Sequence, residues 1–147
     1  MVEVLVTASI ITTSVLAVMA VAQKSIYVST QSLHTTQAAF LLEEGAEAVR
    51  ILRDNGWSNI SGLNNATTYY PLFSSGTWTL STTTSTVGIF TRTVNIGSVN
   101  RDNSTDDIAV SGSNDSGTKL ITITVSWQEG GVAISKTLPF YIMDIFS

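Results

Sequence analysis

Residues 1–22 read MVEVLVTASIITTSVLAVMAVA, and Glu3 is the only ionisable side chain among them. At 1.5 Å per residue, a helix over this stretch is roughly 33 Å long, enough to cross a bilayer. A lone carboxylate in hydrocarbon is costly, and such charges usually mark function or a partner. Thr7, Ser9, Thr12, Thr13 and Ser14 bring hydroxyls that a helix satisfies on its own backbone. With no Gly or Pro, nothing forces a kink, and Thr12-Thr13-Ser14 is the place where stretching is expected. A secretory signal fits less well, because a basic n-region and a small-residue cleavage site are both missing.

The helical pattern continues outward from there. Between Ser25 and Arg53 there is no proline, and Gly45 alone interrupts the helix formers. Ala38, Leu42, Gly45, Val49 and Leu52 share one helical face; Glu43, Glu47, Arg50 and Asp54 lie on the other, with Glu47 in reach of Arg50. In RDNGW (53–57), Arg53 suits a last turn and Gly56 a cap. A continuous helix over residues 1–53 would be about 80 Å long, apolar all round in its first half and amphipathic in its second.

After Gly56 the composition shifts to Ser, Thr, Asn, Gly and β-branched residues, and four stretches alternate as strands do. GTWTLSTT places Trp78 and Leu80 on one face. GIFTRTVNIGSV places Phe90, Arg92, Val94 and Ile96 together, and KLITITVSW does the same for Ile121, Ile123, Val125 and Trp127. VAISKTLPFYI follows Glu129-Gly130-Gly131, a hairpin signal, and Pro139 moves that strand toward a sheet edge. An antiparallel meander over about 67–147 needs a cover for its apolar face, and the amphipathic helix half supplies one. The expected fold class is α+β: an apolar helix over 1–24, then a head over 25–147 built from helix residues 25–54 and the sheet.

These residues resemble type IV pilins and the pseudopilins of type II secretion. MVEVLV is similar to the end of the family's FTLIEVLV-type start. EEGAEAVRILRDNGW, followed by the FTRTVNI and TITVSW strands, resembles the PilV-like and type II pseudopilin branch. The resemblance covers the whole chain in architecture and about the first 20 residues in sequence. It implies a leader trimmed by a prepilin peptidase, inner-membrane assembly machinery, and a helical homopolymer of this chain with apolar helices at its centre. It also implies that Glu3 meets the N-terminal amine of a neighbouring copy, here that of Met1, the residue the family methylates. A buried carboxylate is tolerable beside an ammonium, and stranding one partner costs about 3–5 kcal/mol. The family glutamate stands two positions further from the mature N-terminus than Glu3 stands from Met1. The alternative for Glu3 is a side chain that snorkels to the interface at a membrane helix end.

Composition narrows the chemistry. The 147 residues carry a net charge of -4, with 12% charged residues, no cysteine and one histidine, His34. No basic stripe tracks phosphates, so no nucleic-acid site is read. Disulfides, thiol nucleophiles and multi-histidine metal sites are excluded, and a Ser-His-Asp triad nearly so. Glu43 and Glu44 are adjacent on a helix and point apart, and nothing completes an acid–base site, so the chain does not read as an enzyme. His34, Trp57, Trp78 and Trp127 read as packing residues, while Tyr69 and Tyr70 beside Pro71 stay open between core and surface. Two weaker candidates sit in loops. Asp102, Asp106, Asp107 and Asp115 cluster as calcium ligands do, without EF-hand spacing; no other cofactor is read. Asn59, Asn65, Asn103 and Asn114 each begin an N-x-S/T acceptor pattern for glycosylation, and STTTSTVG (81–88) is either an O-glycan carrier or a polar strand end.

The leading expectation is a structural subunit of an extracellular pilus-like filament on the cell surface, drawn from a membrane-inserted pool, serving adhesion or motility among other roles. The alternative is a minor or tip pilin, or a pseudopilin, whose head binds a surface or cargo. A third class is a membrane-anchored domain without a polymer.

Overall fold

The computed structural model describes residues 1–145. One helix, α1 (Val2–Asp54), is followed by a single turn, α2 (Ser58–Ser61), and a seven-stranded antiparallel sheet. The chain divides into two compact units, Met1–Gln37 and a second beginning at Ala38.

The first unit is helix throughout, and none of its side chains is buried. The stretch at Thr12-Thr13-Ser14 is not broken. Their hydroxyls donate to the carbonyls of Ala8, Ser9 and Ile10 at 2.7–3.0 Å, so each polar side chain is satisfied inside the helix. The expected stretch point is thus helical here.

In the second unit, Ala38, Gly45, Ala46, Ala48, Val49 and Leu52 are the buried face of α1, and Leu42 packs against them half-buried. The head therefore takes its first buried helical residue from Ala38, not from position 25. Arg53 closes the last turn and Gly56, at φ +143°, leaves the helix with its N–H bonded to the Arg53 carbonyl at 2.9 Å. Asn59 Nδ2 donates to the Leu52 carbonyl at 3.1 Å, capping an otherwise orphan group at the helix end.

The strands are β1 (Thr68–Ser74), β2 (Thr77–Ser81), β3 (Thr86–Val87), β4 (Phe90–Arg101), β5 (Ile108–Ala109), β6 (Ser113–Glu129) and β7 (Val132–Met143). Their main path is β2-β1-β4-β6-β7, with β3 and β5 as short partners of β4. The meander expected from the sequence holds from β4 through β7 and fails before it: β1, not β2, lies beside β4. Pro71 limits how far β1 pairs on both sides. Lacking an N–H, it cannot join a ladder on both sides, and β1 pairs with β4 only through Thr68 and Tyr69 before continuing against β2. Gly130 and Gly131, both at positive φ, turn β6 into β7 as the hairpin signal implied.

Register aligns Val94 with Ile123 and Ile96 with Ile121. With Val49, Leu52, Ile60 and Tyr69 these form the main core; a smaller cluster joins Ala38, Phe90, Val125 and Trp127. Trp57 and Trp78 pack half-buried against the core. The outer face carries Thr91, Thr93, Thr122, Thr124 and Ser126, none fully buried.

Candidate assembly surface

Glu3 lies in the first turn of α1, where the helix dipole favours negative charge. Its carbonyl accepts the Thr7 hydroxyl at 2.8 Å. With Val4, Thr7, Ala8 and Ile11 it lines a shallow recess of about 350 Å³. Val4, Ala8, Ile11 and Val15 follow at helical spacing, so the carboxylate heads an apolar stripe. No ion pair to Glu3 occurs among the described residues. Met1 is fully exposed, and its carbonyl accepts the Leu5 N–H at 3.4 Å.

The stripe is part of a larger feature. Leu5, Ile10, Ile11, Leu16, Met19 and Val21 are each more than half exposed, and the helix is long and apolar enough to cross a membrane. Contiguous apolar surface of this extent marks an interaction with lipid or protein. By length and composition alone, the segment suits either environment.

In the head, the sheet turns two charged residues inward. Arg92 is 5% exposed on β4, with Nη1 donating to Glu44 Oε2 at 2.6 Å and to the Leu41 carbonyl at 3.3 Å. Its guanidinium lies over the Trp78 ring at 5.5 Å, and its Nε has no acceptor among the described residues. The inward alternation of β4 had already put Arg92 between Phe90 and Val94; its partner Glu44 had no such signal. The second is Glu129, whose carboxylate accepts the Trp127 indole N–H at 3.1 Å.

Of the four aspartates proposed as calcium ligands, Asp102 and Asp115 have their carboxylates engaged by separate partners. Asp115 holds Arg101 Nε at 2.7 Å, and Arg101 Nη1 also reaches the Asp106 carbonyl. The Thr118 hydroxyl, with Arg101 beside it, holds the Asp115 carboxyl below its usual range, and Asp115 in turn raises Arg101. Asp102 turns back to accept the backbone N–H groups of Ser104 and Thr105 at 2.8 and 3.0 Å, which lowers its pKa. No group of three or more His, Asp or Glu among the described residues is placed to hold a metal ion. The stretch is also less of a loop than its composition implies, because β6 begins at Ser113 and pairs Asp115 with Val99.

The four acceptor-pattern asparagines are all exposed. Three have their amide nitrogens engaged: Asn59 on Leu52, Asn65 on Ser98 and Asn114 on Val99. Asn103, exposed in a turn, accepts from the Ser113 hydroxyl at 2.7 Å through its amide oxygen. Tyr69 resolves as core, with its hydroxyl accepting the Asn64 N–H, while Tyr70 is half-buried. His34 lies half-buried on α1.

Compared with known proteins, the chain matches no family model, no curated protein and no solved structure.

Proposed function

We propose that this chain is a structural subunit of a type IV pilus-like filament, polymerising through its apolar N-terminal segment, residues 1–24. The observation that carries the reading is an apolar first half of α1 with no buried side chain before Ala38 and one carboxylate in its first turn. A membrane anchor needs the apolar surface but gains nothing from Glu3. A helical polymer uses both: apolar packing supplies cohesion, and Glu3 pairs with the N-terminal amine of a neighbouring copy to set axial register. Before assembly the same helix resides in the membrane; afterwards the β-heads form the outer surface. The charge-poor, hydroxyl-rich outer face of the sheet suits such exposure.

The test is Glu3→Ala, followed by fractionation of the cells. The folded head and membrane insertion are retained while the sheared filament fraction loses the protein. Wild-type filament yield from Glu3→Ala would defeat the register role.

A second reading, a minor or tip subunit that binds through its head, is favoured by one feature. Val99, Ile108, Val110, Leu120 and Tyr141 line a cleft of about 320 Å³, with Val110 fully exposed. Abundance separates the two, since a major subunit dominates sheared filaments.

A further inference from the structure

Glu3 accounts for one charge on α1, and two others stay unmatched. Lys24 is the only Lys or Arg before Arg50. It is exposed and lies over the ring of Tyr27 at 5.1 Å. Its helical neighbours one turn away are Ala20, Val21, Tyr27 and Val28, so no carboxylate of its own helix is in reach. Glu43 is the converse case. Its neighbours are Ala39, Phe40, Ala46 and Glu47, with no cation and one like charge. Glu47 is already paired with Arg50 at 3.3 Å, and Glu44 with Arg92. Glu43 opens onto a groove of about 620 Å³ bordered by Phe40, Ala46, Arg50 and Leu138, in which Phe40 is 66% exposed.

Resting on the polymer reading above, we propose that this groove receives the Lys24 segment of a second copy of the chain, with the ammonium set against Glu43. The chemistry is complementary in both components. Lys24 sits among Ala20, Val21, Tyr27 and Val28; the groove joins Phe40, Ala46 and Leu138 to Glu43, Glu44, Glu47 and Arg50, a net acidic lining in which Glu44 and Glu47 already have cations. At a membrane surface Lys24 snorkels to the headgroups. Drawn into a bundle of apolar helices it loses that solvation, and a cation there requires a carboxylate. No ion pair inside the described chain supplies one. The contact gives α1 a second electrostatic register, independent of Glu3 and placed where apolar core gives way to head.

Charge reversal tests it in the full-length protein. Lys24→Glu and Glu43→Lys should each lower sheared filament yield about tenfold or more, the scale of coupled charge pairs. The double variant should restore it to within about threefold. Because the chain has no cysteine, Lys24→Cys with Glu43→Cys offers a separate readout that tolerates weakened assembly. Mild oxidation should yield covalent ladders of copies, absent from either single variant. Wild-type fibres with neither rescue nor ladders overturn the contact and leave the polymer standing. A wild-type chain that forms no fibres overturns both.

Discussion

Gly45 is a point of close approach between α1 and the sheet, and replacing it with alanine sets two effects against each other. A Cβ there would stand 3.1 Å from Ile123 Cγ2, 3.2 Å from Arg92 Cδ and 3.4 Å from Ile123 Cδ1. Neither neighbour gives way easily. Ile123 is fully buried, and Arg92 is held by Glu44 and the Leu41 carbonyl. In an exposed helix the exchange would stabilise by up to about 1 kcal/mol, because glycine is the poorer helix former. Overpacking a tight core costs about 1–3 kcal/mol. The clash is a few tenths of an ångström on two restrained side chains, so the cost prevails, with a net loss of about 1 kcal/mol. That lowers the melting temperature by several degrees for a head of this size. Gly45→Val adds two more methyls in the same space and should cost about 3 kcal/mol or more. The assay is thermal unfolding of the full chain in detergent, followed by near-ultraviolet circular dichroism. Ala39→Gly, at an exposed position of the same helix, calibrates propensity alone. A Gly45→Ala variant that melts higher than wild type would refute the close-approach argument.

Three other expectations follow from individual contacts. Glu44→Ala leaves the Arg92 guanidinium buried with only a long bond to Leu41. Because Glu44 is half exposed, the loss should be about 1–3 kcal/mol, and Arg92→Met should recover part of it, both read by urea titration. Asp115 has a folded pKa below its unfolded value, so its stabilisation is present above the unfolded pKa, near 4. It is lost as pH falls through the lower folded value; hydrogen exchange at residues 113–118 should therefore quicken below about pH 4 in wild type, and Asp115→Asn should show little of that pH dependence. Tyr69→Phe removes the acceptor for the Asn64 N–H and should cost about 1 kcal/mol in the same titration.

The helix and the main strands were legible because their periods are unambiguous. Ala38, Gly45, Val49 and Leu52 repeat at helical spacing, and Ile121, Ile123, Val125 and Trp127 at strand spacing. Strand β1 was harder to read, since TYYPLFS carries a proline and no alternation; its place beside β4 depends on long-range pairing that local pattern does not encode. The aspartate-rich stretch misled in the opposite way. Composition groups Asp102, Asp106, Asp107 and Asp115, but Arg101 and the turn amides draw two of them to separate partners. Arg92 shows the limit in one residue: alternation predicted its inward direction, whereas its partner Glu44 lies 48 residues away on another element. The apolar surface of the first half of α1 was plain in both sequence and structure, because an apolar stretch with no buried residue before Ala38 is one statement made twice.

Everything central rests on whether that helix is covered by copies of itself. The direct measurement is negative-stain electron microscopy, with gel analysis, of material sheared from cells expressing the chain. The account predicts long thin fibres in which this protein is the main band, lost in Glu3→Ala cells. Absence of fibres, with all of the protein in the membrane fraction and monomeric in detergent, would contradict it.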